Sequence, residues 1–222
     1  MANTLILVHG FLDTGRRMAW MSKQLSALGW KVFTPSLLPS NGTEPLEKLA
    51  ERLSSFIREN TQESDRIDII AFSMGGLIAR YYLQRLGGLS KTDRLITIAT
   101  PHNGTLAAYV LPFAGVRQMR PNSDFLNSLN ANAGQLQQLV FVSYYSPFDL
   151  IIIPARSSMM PAGKTFKVFA LMHPWMIFDK KLLKKITHVL EGPVDFELSE
   201  AFHASPHLLS SKNSDCCPSS PD

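Results

Sequence analysis

The stretch Arg66 to Arg80, RIDIIAFSMGGLIAR, limits what this chain can fold into more than any other. Ile67, Ile69, Ile70, Ala71 and Phe72 form a short apolar run rich in β-branched residues. That is the pattern of a strand buried on both faces inside a parallel sheet. Ser73 follows at once, then Met74-Gly75-Gly76, then LIARYYLQRL, which has helical composition. A strand, a tight turn and a helix therefore meet at Ser73. Such a turn forces the serine into a strained backbone conformation and folds the helix back on the strand. The residues two before and two after it must then be small, and they are Ala71 and Gly75. The strain lifts the hydroxyl clear of the sheet. The helix N-terminus turns its unpaired N–H groups and the positive end of its dipole toward the same place.

The rest of the chain alternates between the two periodicities. TLILV (4–8) reads as a buried strand leading to His9-Gly10-Phe11, and WKVFTPS (30–36) as a second. Between them, MAWMSKQLSALG carries a helical stripe of Met18, Trp20, Met21, Leu25 and Leu28, closed by Gly29. LEKLAERLSSFIRENT (46–61) is an amphipathic helix with Leu46, Leu49, Leu53, Phe56 and Ile57 on one face. DRLITIAT (93–100), LVFVSYY (139–145) and TFKVFAL (165–171) read as three more strands, and DKKLLKKITHVL (179–190) as the last helix. Residues 101–138 hold a loop and short helices. This alternation implies a mostly parallel sheet of about six strands with helices on both faces. One domain over 1–195 is expected, followed by a flexible tail over 196–222.

Composition narrows the function classes. The chain has 222 residues, 45% hydrophobic and 18% charged, an ordinary globular balance. The net charge of +4 comes from scattered Lys and Arg, with no basic arm or stripe, so nucleic acid is not an expected partner. A mildly basic surface is compatible with transient contact with an anionic membrane or lipid. The two cysteines, Cys216 and Cys217, are neighbours and build no disulfide framework. No metal-ligand spacing is present, and neither metal nor cofactor is expected. No apolar run reaches the ~20 residues of a membrane span, and the N-terminus lacks a signal-peptide pattern. The expected location is cytoplasmic.

AFSMGG resembles the GHSMGG-type elbow of α/β-hydrolase lipases and esterases, with Ala71 where the usual pattern has glycine. TPHNGT (100–105) resembles the T-P-H-x-G-T signature of the same enzymes, and RPNSDFLNSL (120–129) a neighbouring stretch. The resemblance runs from about residue 4 to 191. It implies a three-layer α/β-hydrolase fold in a minimal form, beginning at what corresponds to the third strand. It also implies that Ser73 is a nucleophile, followed in the chain by an acid and then a histidine. Ser146, Asp149, Ile152, Pro154 and Ser157 resemble the stretch that carries the acid in many lipases, with Asp149 the acid. The apolar IIIP after it is expected to shield the carboxylate from water. Asp124 is the alternative carboxylate, although SDF there has the look of a helix cap. His173 follows the last strand and is the expected base; His9, His102, His188, His203 and His207 fit that place less well. The backbone N–H groups of Phe11 and Met74 are the expected oxyanion donors.

The expectation is therefore a serine hydrolase acting on a small-molecule ester or lipid through Ser73, His173 and Asp149. Thioesterase, acyltransferase and a catalytically silent binding module stand as alternatives. The apolar segment within 104–138 reads equally as a small lid, an acyl-chain wall or ordinary packing, and WMIF (175–178) as a pocket wall or core. The oligomeric state is not written in the sequence.

Overall fold

The computed structural model describes residues 3–170 and 172–193. The expectations for 196–222, with Cys216, Cys217, His203 and His207, lie outside them. Among the described residues, six strands form one sheet in the order β2-β1-β3-β4-β5-β6, and every neighbouring pair is parallel. They are β1 (Thr4–Val8), β2 (Val32–Phe33), β3 (Ile67–Phe72), β4 (Thr92–Ile98), β5 (Val140–Tyr145) and β6 (Lys164–Lys167). All strand C-termini therefore share one edge of the sheet. In register, Val8, Ala71, Thr97 and Ser143 stand side by side across the four central strands.

Helices cover both faces, which is why the central strands are apolar on both sides. On one face, α2 (Leu46–Asn60), α3 (Met74–Arg85) and α5 (Asp124–Ala131) bury Leu49, Leu53, Leu77, Ile78 and Leu126 against Ile6, Val8, Ile69 and Leu95. On the other, α1 (Ala19–Ala27) and α6 (Lys180–Glu191) bury Met21, Leu25, Leu182, Ile186 and Leu190 against Leu5, Leu7, Ile70 and Ile96. A one-turn helix, α4 (Ala114–Gln118), lies in the connection between β4 and α5. The three-layer α/β-hydrolase arrangement follows.

The elements differ from expectation mostly at the sheet's margins. The strand expected over 30–36 contracts to Val32–Phe33, half-buried at the edge, where Pro35 has no N–H to extend the ladder. The strand expected over 165–171 ends at Lys167; Val168 still donates to the Tyr145 carbonyl, but Phe169 is exposed. In the first helix Met18, Met21 and Leu25 are buried, whereas Leu28 lies past its end and is exposed. Phe56 of α2 is only half-buried. Within 101–138, two 3-10 turns, Leu106–Tyr109 and Ala133–Gln138, join α4 and α5. No described helix is long and apolar enough to cross a membrane.

Candidate active site

Ser73 sits between β3 and α3 with φ 54° and ψ −125°, a backbone conformation that a residue with a Cβ rarely adopts. Hydrogen bonds hold it there. Its N–H donates to the Ile98 carbonyl at 2.8 Å, and its own carbonyl accepts from Gly76 N–H at 3.0 Å. Gly75 is needed as the sequence implied. A Cβ on Gly75 would overlap the carbonyl oxygens of Val8 and His9 at the end of β1. One on Gly10 would stand 3.0 Å from the Ser73 Cβ and 3.2 Å from the Phe72 ring. The turn after β1 thus lies directly against the serine. Phe11 follows in that turn, and Met74 opens α3, where the first N–H groups have no intrahelical acceptor.

The loops after β5 and β6 bring two more side chains to the same edge. His173 Nε2 lies 3.0 Å from Ser73 Oγ, and His173 Nδ1 lies 2.7 Å from Asp149 Oδ2. All three side chains are buried. With Nδ1–H donating to the carboxylate, Nε2 is left to accept the serine proton. The other carboxylate oxygen of Asp149 accepts the N–H groups of Ile151 at 2.8 Å and Ile152 at 3.0 Å. The Asp149 side chain is buried, as the expected shielding requires, although the three isoleucines after it differ. Only Ile152 is buried, while Ile151 and Ile153 reach solvent. This segment serves the carboxylate chiefly through its backbone donors. The Phe72 ring packs against the imidazole at 4.8 Å between centroids.

The remaining candidates fall elsewhere. Asp124 is the first residue of α5, capped by Ser123, whose hydroxyl accepts from Leu126 N–H. His188 is exposed in the last turn of α6. His9 is buried beneath the turn it leads: Nδ1–H donates to the Gly10 carbonyl and Nε2 accepts from Leu37 N–H. Burial holds its pKa below the ordinary value, in keeping with a neutral ring.

Several residues support the site through contacts that the sequence does not state. Thr105 Oγ1 donates to the Ile151 carbonyl and accepts from Ile153 N–H, so it grips the segment that holds Asp149. Asn103 adds bonds to the carbonyls of Ser157 and Met159, and Ser157 bonds the Gly104 carbonyl. The TPHNGT stretch is thus a brace for the acid loop. His102 within it is buried, with Nε2 3.1 Å from Thr97 Oγ1 and Nδ1 3.5 Å from the Arg80 guanidinium. On the far side of the site, Arg17 donates to the Pro174 carbonyl at 3.2 Å, pairs with Asp13 at 3.6 Å and packs over the Phe178 ring. It ties the turn after β1 to the 3-10 turn His173–Phe178 that carries the imidazole.

Comparison with known proteins agrees with the fold. The chain is similar to a lipase of Bacillus licheniformis in its mature form, with a TM-score of 0.68 at 13% identity over 85% of this chain and 92% of that one. It is similar to a gene product of Listeria innocua at a TM-score of 0.65, with 15% identity over 90% of this chain and 97% of that one. A pyrethroid hydrolase of Sphingobium faniae gives 0.59, with 16% identity over 88% of this chain and all of the other. At such identities the likeness establishes the fold. A family model describes more. That of the palmitoyl protein thioesterases matches residues 4–145, which span β1 through β5 and include the Gly10 turn, Ser73 and the TPHNGT brace. The chain belongs to the palmitoyl protein thioesterase family, hydrolases of the α/β-hydrolase superfamily.

Proposed function

We propose that the chain is a serine hydrolase that cleaves esters or thioesters of an apolar acyl group, with Ser73, His173 and Asp149 as its catalytic residues. One observation carries this reading: the unbroken hydrogen-bonded line from Asp149 through His173 to a serine held at positive φ. In the first step His173 Nε2 takes the Ser73 proton as Oγ attacks the acyl carbonyl carbon. Asp149 holds the imidazole in the correct tautomer and stabilises the imidazolium. The new oxyanion is received between the N–H groups of Phe11 and Met74. As the tetrahedral intermediate collapses, the carbonyl re-forms, the alcohol or thiol leaves, and His173 returns the proton to it. Water, deprotonated by His173, then attacks the acyl-serine; acid departs and Ser73 recovers its proton.

The family match supports including thioesters beside the oxygen esters expected from the sequence. The two differ in leaving group, and both run through the same acyl-serine. A matched pair of substrates with one acyl chain, one an oxygen ester and one a thioester, ranks them by kcat/KM. A series of p-nitrophenyl esters of increasing chain length tests the apolar preference. The mechanism itself is tested by a fluorophosphonate probe, which is expected to label the wild type and not Ser73→Ala. Folded wild-type protein that stays unlabelled would leave the chain a silent binding module and end the proposal.

A further inference from the structure

The exposed apolar side chains are not spread over the molecule. Among the described residues, every exposed large apolar side chain except Leu28 lies in a segment leaving the C-terminal end of a strand. These segments are 9–18, 34–45, 99–123, 146–163 and 168–179, and they surround Ser73. The four most exposed come from four different strand exits: Leu12 at 68% after β1, Val110 at 80% after β4, Leu150 at 77% after β5 and Phe169 at 79% after β6. One acyl chain in one pocket does not account for apolar contacts set on four separate loops. An apolar surface of this kind needs an extended partner.

The charges on the same loops say which partner. No lysine occurs in any of these segments. Their four carboxylates are all engaged and none is in the exposed class: Asp13 pairs with Arg17, Glu44 with Arg52, Asp149 with His173, and Asp179 caps α6. The charged residues that are exposed there are Arg16, Arg117 and Arg156. Lys180 and Lys181, also exposed, begin α6 directly after the last segment. Exposed apolar side chains and exposed cations on the same set of loops match a layer of acyl chains beneath anionic headgroups.

We propose that the strand-exit end of the molecule docks on the surface of an anionic phospholipid bilayer, with Leu12, Val110, Leu150 and Phe169 entering the apolar layer and Arg16, Arg117 and Arg156 meeting phosphate groups. The docked orientation turns the end of the sheet that carries Ser73 toward the lipid surface. The proposal does not depend on which acyl compound Ser73 attacks.

The test is co-sedimentation of the full chain, carrying Ser73→Ala so that no lipid is consumed, with two sets of vesicles. One set is phosphatidylcholine alone; the other is equal parts phosphatidylcholine and phosphatidylglycerol. Binding to the anionic set is expected, weakening as salt is added. Arg117→Ser/Arg156→Ser is expected to reduce partitioning by about fivefold for each charge removed. Val110→Ser/Phe169→Ser is expected to reduce it by about tenfold or more. With Ser73 intact, both double variants should hydrolyse a water-soluble short-chain ester at the wild-type rate. Absence of binding, or equal binding to both vesicle sets, overturns the proposal. So does a concentration-dependent dimer that Val110→Ser/Phe169→Ser abolishes, since a second copy of the chain would then cover this face. Loss of vesicle binding in step with loss of soluble activity would place these residues in the site or the fold and overturn it as well.

Discussion

In the proposed mechanism a single proton transfer depends on the hydrogen bond between Ser73 and His173, so neither residue's contribution exists without the other. Ser73→Ala and His173→Ala should each lower kcat by a factor on the order of 10⁴ or more, and the double variant should be little worse than either. Multiplying losses in the double variant would mean that the two act separately. Asp149→Asn keeps the shape but can present an amide N–H toward Nδ1, which favours the wrong imidazole tautomer. Its loss should be severe yet smaller than that of Ser73→Ala. Activity at the wild-type level would show that another group orients the ring. Gly10 makes a different test because it touches no proton. A methyl at this position meets the Ser73 Cβ at 3.0 Å and the Phe72 ring at 3.2 Å, so the turn proposed to hold an oxyanion donor, or the groups it meets, must shift by a few tenths of an ångström. Gly10→Ala should fold with near-normal stability and lose about tenfold to a hundredfold in kcat, because preorganised donors act only when correctly placed. Unchanged kcat would remove this turn from the oxyanion site.

The loop that bears Asp149 has no regular structure of its own and is held in shape by another loop. Thr105 supplies both a donor and an acceptor to it, at Ile151 and Ile153. Thr105→Val keeps the volume and loses both bonds, together with the one the hydroxyl accepts from Ala107 N–H, at a net cost of about 0.5–1.5 kcal/mol for each bond lost. It should lower kcat more than it raises KM, whereas Thr105→Ser should restore kcat. Equal loss in both variants would show that the methyl group, not the hydroxyl, is what matters. Contacts of this kind explain what the sequence could and could not reveal. The elbow, α2 and α6 are legible because each writes its own periodicity into consecutive residues. Asp149 and His173 come from the family resemblance and not from periodicity, since nothing in their neighbours' spacing states that they meet. Thr105 belongs to a recognisable stretch, TPHNGT, but its bond to Ile151 spans 46 residues, and nothing local names that partner. The run Leu150 to Ile153 misleads in the opposite sense: four apolar residues in a row suggest burial, yet Leu150, Ile151 and Ile153 face outward. The ends of β2 and β6 are blurred because an edge strand is paired on one side only, so pairing does not fix where it stops.

At the scale of the whole molecule, the polar groups buried around the strand exits make stability depend on pH. Arg80 is fully buried on α3, and its side-chain partners, Gln84, Asn130 and His102, carry no negative charge. Burial pulls its guanidinium down to about 9, so it remains protonated at neutral pH. Because the guanidinium can only donate, His102 Nδ1 must accept and Nε2–H donates to Thr97. A second proton on that ring would meet both a dry environment and the Arg80 charge, and these two causes hold the His102 pKa well below its ordinary 6.5. Burial shifts His9 in the same direction. In the unfolded chain both rings take up protons near pH ~6.5, while in the folded protein they do not. The unfolded state therefore binds more protons as the solution is acidified. Folding stability should decline below that pH, by up to about 1.4 kcal/mol per pH unit for each ring, until the folded-state pKa is reached. Asp13 and Asp68, whose pKa values burial raises, contribute the opposite slope. Comparing two proteins isolates the histidine. Denaturant midpoints measured from about pH 7 to pH 5 should fall more steeply for the wild type than for His102→Gln, which can bridge Arg80 and Thr97 without titrating. Parallel curves would mean that His102 takes up a proton inside the folded protein beside Arg80, and that the brace over the acid loop carries a charge.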